Sequence, residues 1–265
     1  LVDEKLKDVV LFNPYLDEVV TIDKKGRDNS ILSLWACSRH LSKLDFDVLI
    51  NLHPNERCSF IDAMTSVKLR TGTTHKIFKW FWDVFTPLDR SMHAADMYLD
   101  VLQQLGVQDL SNNGLEIFPG EEHFLEAELF WQEQNITDQD KLIGFNIGSA
   151  VPTKRWPPER FAEVADIFAA KGYKTVFFGG PMDEEMVAEA TGYMQTRPII
   201  ATGHFAIGGL AAAMRRCCLI ITNDSGPMHV AISQKVPIVA MYGPSNPKLY
   251  GPYTKDAVIV TAQPP

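Results

Sequence analysis

The chain has 265 residues, of which 46% are hydrophobic and 22% charged, a balance typical of a soluble globular protein with one large or two ordinary domains. Its formal net charge of −8 argues against a general nucleic-acid binder, because such proteins present a basic surface. No apolar run approaches the length of a membrane span.

The first part of the chain has an irregular pattern. Val19–Ile22 and Val48–Leu52 read as strands, with a helix over Ser30–Leu44 between them. A further helix is expected over Met92–Leu105, and turn residues over Asp109–Glu122 predict a linker. We therefore expect a domain boundary between about residues 110 and 140.

An aromatic segment with two lysines covers Lys76–Phe85. It could form an amphipathic patch that meets a membrane surface or a lipid-linked substrate. Aromatic side chains are more often buried, and we favour an ordinary core element for it.

From Lys141 onward, strands alternate with helices at the spacing of βαβ units, which predicts a doubly wound parallel sheet. The expected strands are Leu142–Ile147, Thr175–Phe178, Ile199–Ala201, Leu219–Thr222 and, as the last, Pro237–Tyr242; the expected helices are Glu159–Lys171, Asp183–Met194, Ile207–Arg216 and Met228–Lys235.

The most informative stretch is Leu219–Ala231, where an apolar run ends in Asn-Asp-Ser-Gly-Pro and a helix begins. Pro227 suits the first helical position, and Gly226 lets a ligand approach the backbone. The free N–H groups of such a helix favour an anion, most often a phosphate. A simple turn capped by Asp224 or Ser225 is the alternative.

Two more polar loops follow predicted strands and should lie at the same edge of the sheet. Residues 148–157 offer the hydroxyls of Ser149 and Thr153 and the charge of Lys154, which can neutralise a departing diphosphate. Residues 243–253 form the other loop. Three such loops at one edge favour a single site for a phosphorylated small molecule, although Lys154 could also be a solvated surface charge.

Other kinds of site have little support. The chain has neither a Walker loop nor the Gly-x-Gly-x-x-Gly fingerprint, so no nicotinamide or flavin cofactor is expected. Its histidines and four cysteines lack ligand spacing, and we expect reduced cysteines and no protein-built metal site. The Asp-x-Asp pairs at residues 45–47 and 138–140 read as solvated turns.

At these motifs the chain resembles the lipopolysaccharide heptosyltransferases, glycosyltransferase family 9. Agreement in order and spacing runs from about Lys141 to Tyr253 and is weaker before that. The motifs are Lys154–Pro157, Phe178–Glu184, Asn223–Ala231, Val236–Pro247 and Tyr250–Pro252, with Asn13–Asp17 and His93–Gly106 nearer the start.

The resemblance implies an α/β protein of the GT-B fold, with two Rossmann-like, doubly wound domains facing a cleft. An N-terminal, acceptor-side domain would cover residues 1–125, and a nucleotide-sugar-binding domain residues 126–265. Compared with the family pattern, the chain looks truncated at both ends. The family's first strand and Arg-x-Gly-Asp-type loop, which carries the catalytic base, have no counterpart here, so no base is assigned; Asp3 and Glu4 do not match it.

Carried over position by position, the resemblance gives a donor site. Lys154 and Asp224 are the candidate catalytic residues, and Ser149 and Lys154 would contact the diphosphate. Asp183 would reach the ribose and Phe205 would pack near the adenine. The diphosphate and sugar wall would comprise Asp224, Ser225, Gly226, Pro227 and His229.

The implied function is that of an inverting, metal-independent glycosyltransferase that uses no cofactor. It would move heptose from ADP-heptose to a lipid-linked lipopolysaccharide core acceptor, in the cytoplasm and in peripheral contact with the inner membrane. The alternatives are a non-catalytic nucleotide-sugar-binding GT-B protein and another GT-B enzyme, such as a sugar-nucleotide epimerase. A catalytic Asp in the upstream sequence would argue against the non-catalytic protein, and the identity of the products would separate a transferase from an epimerase.

Overall fold

A computed structural model of the protein describes residues 1–53, 55–73, 81–85, 89, 91–110 and 112–261. The chain divides into two compact units. Unit 1 comprises Leu1–Lys5 and Val20–Asn112, and unit 2 comprises Leu6–Val19 and Asn113–Pro265. The predicted boundary at residues 125 and 126 stays a prediction about domain organisation.

Unit 1 contains short parallel strands and helices, and the predicted helix over Ser30–Leu44 is present. The hydroxyl of Ser30 accepts the N–H of Ser33 at its start. Strand β1 pairs with β2, and the second sheet has the order β3-β4-β5. The bounds are β1 Val2–Asp3, β2 Thr21–Ile22, α1 Ile31–Lys43, β3 Val48–Asn51, α2 Glu56–Met64, β4 Leu69–Gly72, β5 Val84–Phe85 and α3 Ala94–Gln104.

Unit 2 is built around a parallel sheet. The bounds of its elements are α4 Glu121–Glu133, β6 Leu142–Asn146, α5 Pro158–Ala170, β7 Lys174–Phe178, α6 Glu184–Tyr193, β8 Ile199–Ile200, α7 Ile207–Met214, β9 Cys217–Asn223, α8 Gly226–Ser233, β10 Ile238–Tyr242, α9 Pro247–Tyr250 and β11 Ala257–Thr261. The strand order is β11-β10-β9-β6-β7-β8. This order reverses direction between β6 and β9, which makes their carboxyl ends the topological switch point of a doubly wound sheet.

Side chains that alternate along the strands form two apolar layers. Phe178 and Ile220 pack on one face of the sheet with α4, α7 and α8. Phe145 and Phe177, whose rings stack with centroids 5.2 Å apart, pack on the other face with α5 and α6. Because both faces are covered, the loops at the carboxyl ends of the strands are anchored on a buried sheet.

The structure corrects two expectations and leaves a third untested. The predicted linker ends where α4 begins, at Glu121, and this helix packs into the core through Phe130 and Trp131. The strand predicted as the last is followed by β11, which pairs in parallel with β10. Much of the aromatic segment Lys76–Phe85 lies outside the described residues.

Among the described residues, no helix is long and apolar enough to cross a membrane. All four cysteines are free thiols. The same part of the chain holds no group of three or more His, Cys, Asp or Glu side chains placed to share a metal ion.

Candidate functional site

The predicted site residues of unit 2 lie on loops that leave adjacent strands. Asn146, the last residue of β6, is in register with Thr222 of β9, and Asn223 is in register with Met241 of β10. The three strands therefore end at nearly the same level. Their loops meet at the switch point, where ligands of open α/β sheets bind.

The centre of this edge is an ion pair between Lys154 and Asp224. The Lys154 Nζ lies 2.7 Å from the Asp224 Oδ2, with the two side chains 27% and 6% exposed. We treat the contact as an ion pair. A buried carboxylate requires such a partner, and the pair holds the ammonium group at the switch point.

Asn223 fixes the loop that carries Lys154. The amide of Asn223 donates to the carbonyl oxygen of Ile147 (2.7 Å) and accepts the N–H of Trp156 (2.9 Å). The Ser149 carbonyl accepts from Arg155 Nε at 2.8 Å, and the Ser149 hydroxyl faces the Asp224 carbonyl at 3.5 Å. The loop is thus tied to the end of β9 at both of its ends.

Helix α8 begins at the same place. Ser225 occupies the N-cap position and Pro227 the second helical position, but the Ser225 side chain makes no capping hydrogen bond. Nothing within 4 Å would meet a Cβ added to Gly226, which is exposed, and His229 is half-buried in the first turns. The start of this helix is open, as the phosphate prediction requires and as a side-chain-capped turn would not be.

Asp183 lies beside the loop that follows β6. Its carboxylate accepts the N–H of Gly180 at 2.9 Å, and a Cβ added to Gly148 would overlap it. Asp183, the residue predicted to contact the ribose, therefore lies at the carboxyl edge of the sheet, next to the loop that carries Ser149. Phe205 follows the edge strand β8, and its ring packs against Phe130 of α4 with centroids 5.1 Å apart.

Tyr242, at the end of β10, is a member of this site that sequence reasoning missed. Its hydroxyl donates to the Tyr250 carbonyl at 2.9 Å, and burial together with the charge of Asp224 raises its pKa above the ordinary value. It stays protonated near neutral pH. With Lys154 and Gly243 it lines a cavity of about 280 Å³.

Asn146 and Asn223 were also missed as members of the site. Both are almost fully buried. The available signal was an asparagine near the carboxyl end of each of two apolar strands, the place where ligands of parallel sheets bind.

Comparison with known proteins places this geometry in a family. The model of glycosyltransferase family 9 (heptosyltransferase) matches residues 34–265. Lipooligosaccharide heptosyltransferase 2 of Haemophilus ducreyi is 34% identical over 139 residues, which cover 49% of this chain and 40% of that protein. The chain thus spans well under two thirds of that relative's length.

Two solved structures are similar over nearly the whole chain. A family 9 glycosyl transferase from Veillonella parvula has a TM-score of 0.96 and 55% identity, covering 100% of this chain and 78% of that one. The E. coli ADP-heptose LPS heptosyltransferase II has a TM-score of 0.79 and 21% identity, with coverages of 97% and 79%, a likeness that supports the GT-B fold. The chain belongs to glycosyltransferase family 9, the heptosyltransferase family.

Proposed function

We propose that this protein is a glycosyltransferase that moves heptose from ADP-heptose to a lipopolysaccharide core acceptor, by an inverting reaction that needs no metal. The observation that carries the proposal is Lys154, held by Asp224 beside the open start of α8 at the switch point of the sheet. The named activity of the relatives, lipooligosaccharide and lipopolysaccharide heptosyltransferases, supports the sugar and the acceptor.

The chemistry follows from where charge develops. When an acceptor hydroxyl attacks the anomeric carbon, it gives up its proton to a general base, which is not assigned here. The bond to the diphosphate breaks, and the leaving oxygen gains negative charge. The Lys154 ammonium and the N–H groups at the start of α8 are fixed donors for that charge, so they stabilise the transition state more than the ground state. One displacement inverts the anomeric configuration.

The remaining candidates would bind rather than react. Ser149 would hydrogen-bond the diphosphate, and Asp183 would accept the ribose hydroxyls while it keeps the Gly180 N–H. Phe205 would offer an apolar wall to the base, and His229 would face the sugar. These roles rest on their place at the ends of β6, β7, β8 and β9.

Unit 1 offers a feature suited to an acidic acceptor. A cavity of about 400 Å³ is lined by four cationic side chains against two carboxylates, those of Asp3 and Asp23. The cations are Lys5, Lys24, Lys25 and Arg57. The excess of cationic over acidic side chains favours phosphate or carboxylate groups on the acceptor saccharide. We place the reaction at the cytoplasmic face of the inner membrane, where a lipid-linked acceptor would be met by peripheral contact.

The test is calorimetric titration with ADP-heptose, ADP, UDP and GDP, followed by mass spectrometry of a core acceptor incubated with donor. ADP-type ligands should bind in preference to the others, and Lys154→Ala and Asp224→Ala should weaken that binding. Lys174→Ala, a lysine at the opposite end of the same sheet, is the matched control. Binding without transfer by the complete gene product would favour a non-catalytic nucleotide-sugar-binding protein.

A further inference from the structure

Ser225 is in the usual place of a helix cap but does not act as one. Its backbone is extended, with φ −156° and ψ 168°, as at most N-caps, and serine is among the preferred residues there. A serine at this position normally accepts an N–H of the first turn with its hydroxyl. Here the side chain makes no such bond, and something else must hold it.

The side chain that holds it is Asn146, at the end of β6. Asn146 is 1% exposed, and its Nδ2 donates to the hydroxyl oxygens of Ser225 (2.9 Å) and Thr222 (3.1 Å). Both hydroxyls in turn donate to the Asn223 carbonyl, at 3.3 and 2.8 Å. Because the hydroxyl protons are used on that carbonyl, the asparagine must present its NH₂ group, which fixes the amide orientation.

Release of the Ser225 hydroxyl would change the start of α8. Pro227, in the second helical position, has no N–H, so the donor within reach of a capping hydroxyl is that of Met228. The Met228 N–H now donates to the Ser225 carbonyl at 3.2 Å, across one turn. A hydroxyl that capped it would stand where a bound anion has to approach.

We propose that Asn146 is a positioning residue that keeps the Ser225 hydroxyl turned into the protein, and thereby keeps the start of α8 open for the donor diphosphate. The inference rests on the proposed function for the identity of that anion. Asn146 acts through Ser225 and does not itself touch the ligand.

The energetics of Asn146 support a functional role. Its Oδ1 has no hydrogen-bond partner in the described part of the chain, and a buried amide oxygen left in this way opposes folding. An apolar residue at the end of β6 would avoid that penalty. A penalty retained at the point where a ligand would bind indicates that the NH₂ group has a task there.

The experiment is a double-mutant cycle on ADP affinity, measured by calorimetry for wild type, Asn146→Ala, Ser225→Ala and the double variant. Asn146→Ala should weaken ADP binding roughly fivefold when Ser225 is present, the effect of one serine cap competing with the ligand. On the Ser225→Ala background, the same substitution should change affinity less than twofold. An equal loss on both backgrounds would overturn the positioning role, because it would mean that Asn146 acts without Ser225.

Two further variants separate this role from simple damage to the sheet. Thr222→Val removes the other hydroxyl bound by Asn146 but leaves Ser225 held, so ADP affinity should stay within twofold of wild type. If Asn146→Ala does not fold, Asn146→Leu keeps the volume and removes the donor, and it replaces alanine in the cycle. If Thr222→Val weakens ADP binding as much as the Asn146 variant does, the proposal is contradicted.

A measurement without ligand distinguishes failure of this inference from failure of the proposed function. Amide hydrogen exchange at Met228 should be slower in the Asn146 variant than in wild type, and should return to the wild-type rate when Ser225 is also alanine. If wild type binds no ADP, the proposed function fails, while the exchange pattern still decides whether Asn146 restrains Ser225. If the exchange rate at Met228 is the same in the Asn146 variant as in wild type, Asn146 does not restrain Ser225.

Discussion

Removal of the Lys154 ammonium by Lys154→Ala is the sharpest test of the ion pair at the switch point. The Nζ and Oδ2 atoms are 2.7 Å apart, which corresponds to a gross attraction of about 6 kcal/mol at an effective dielectric constant of 20. Most of that attraction offsets the desolvation of Asp224. The cost of the substitution therefore comes from the carboxylate that it leaves behind, buried and without a counter-charge.

The expected loss of stability is about 2 kcal/mol. Breaking a fully buried pair costs about 3–5 kcal/mol, and the partial exposure of Lys154, 27% of its side chain, lets water reduce that figure. For a domain of this size the melting temperature should fall by about 4–8 °C. Asp224→Asn in the Lys154→Ala background removes the stranded charge and should recover most of the loss.

The assay is scanning calorimetry of wild type, both single variants and the double variant at low and high salt. Lys174→Ala, which removes an exposed lysine at the amino end of β7, should melt within about 2 °C of wild type. The reasoning is refuted if the double variant is less stable than Lys154→Ala alone, because the carboxylate would then be stabilising without its partner.

Three other perturbations have defined outcomes. Burial raises the pKa of Asp62 to about 6. The contribution of Asp62 to the stability of unit 1 should therefore be fully present below pH 4, and about 3 kcal/mol of it should be lost as the pH rises from there through 6. In urea titrations, Asp62→Asn should remove this loss. Gly148→Ala should push the Asp183 carboxylate aside and weaken ADP binding about tenfold with little change in melting temperature; unchanged affinity would exclude Asp183 from the site. Extensive dialysis against EDTA should leave the rate of sugar transfer unchanged, and a loss restored by a divalent cation would contradict the metal-independent mechanism.

The alternation of strands and helices in unit 2 could be predicted because each element there has a strong apolar pattern. Two elements of unit 2, α4 and β11, were not predicted, and each has a physical reason. Helix α4 leaves Leu125 and Leu129 exposed while Phe130 and Trp131 are buried, so its pattern lacks one apolar face. Strand β11 was missed because the connection from β10 contains only one short helical turn, Pro247–Tyr250, in place of the full helix that marks a βαβ unit.

The site could be predicted to the level of loops but not of contacts. The rule that ligands bind at carboxyl ends of parallel strands put Lys154 and Asp224 on one edge, although 70 positions separate them in the printed sequence. That they form an ion pair depends on the loop held by Asn223, which no local pattern encodes. Unit 1 was less predictable because several of its strands are only two residues long.

The polar residues at the ends of β6 and β9 suggest how stability and function are balanced here. Asn146, Asn223 and Asp224 are each at most 5% exposed, and they lie close together at a place where apolar side chains would bury more favourably. Asn146 Oδ1 lacks a hydrogen-bond partner in the described part of the chain, and the Asp224 carboxylate depends on the charge of Lys154. A core selected only for stability would not concentrate such groups at one point. Since that point is the switch point of the sheet and the start of α8, the polar cluster is best understood as a scaffold that holds Lys154 and the helix start ready for an anion, at the expense of local stability.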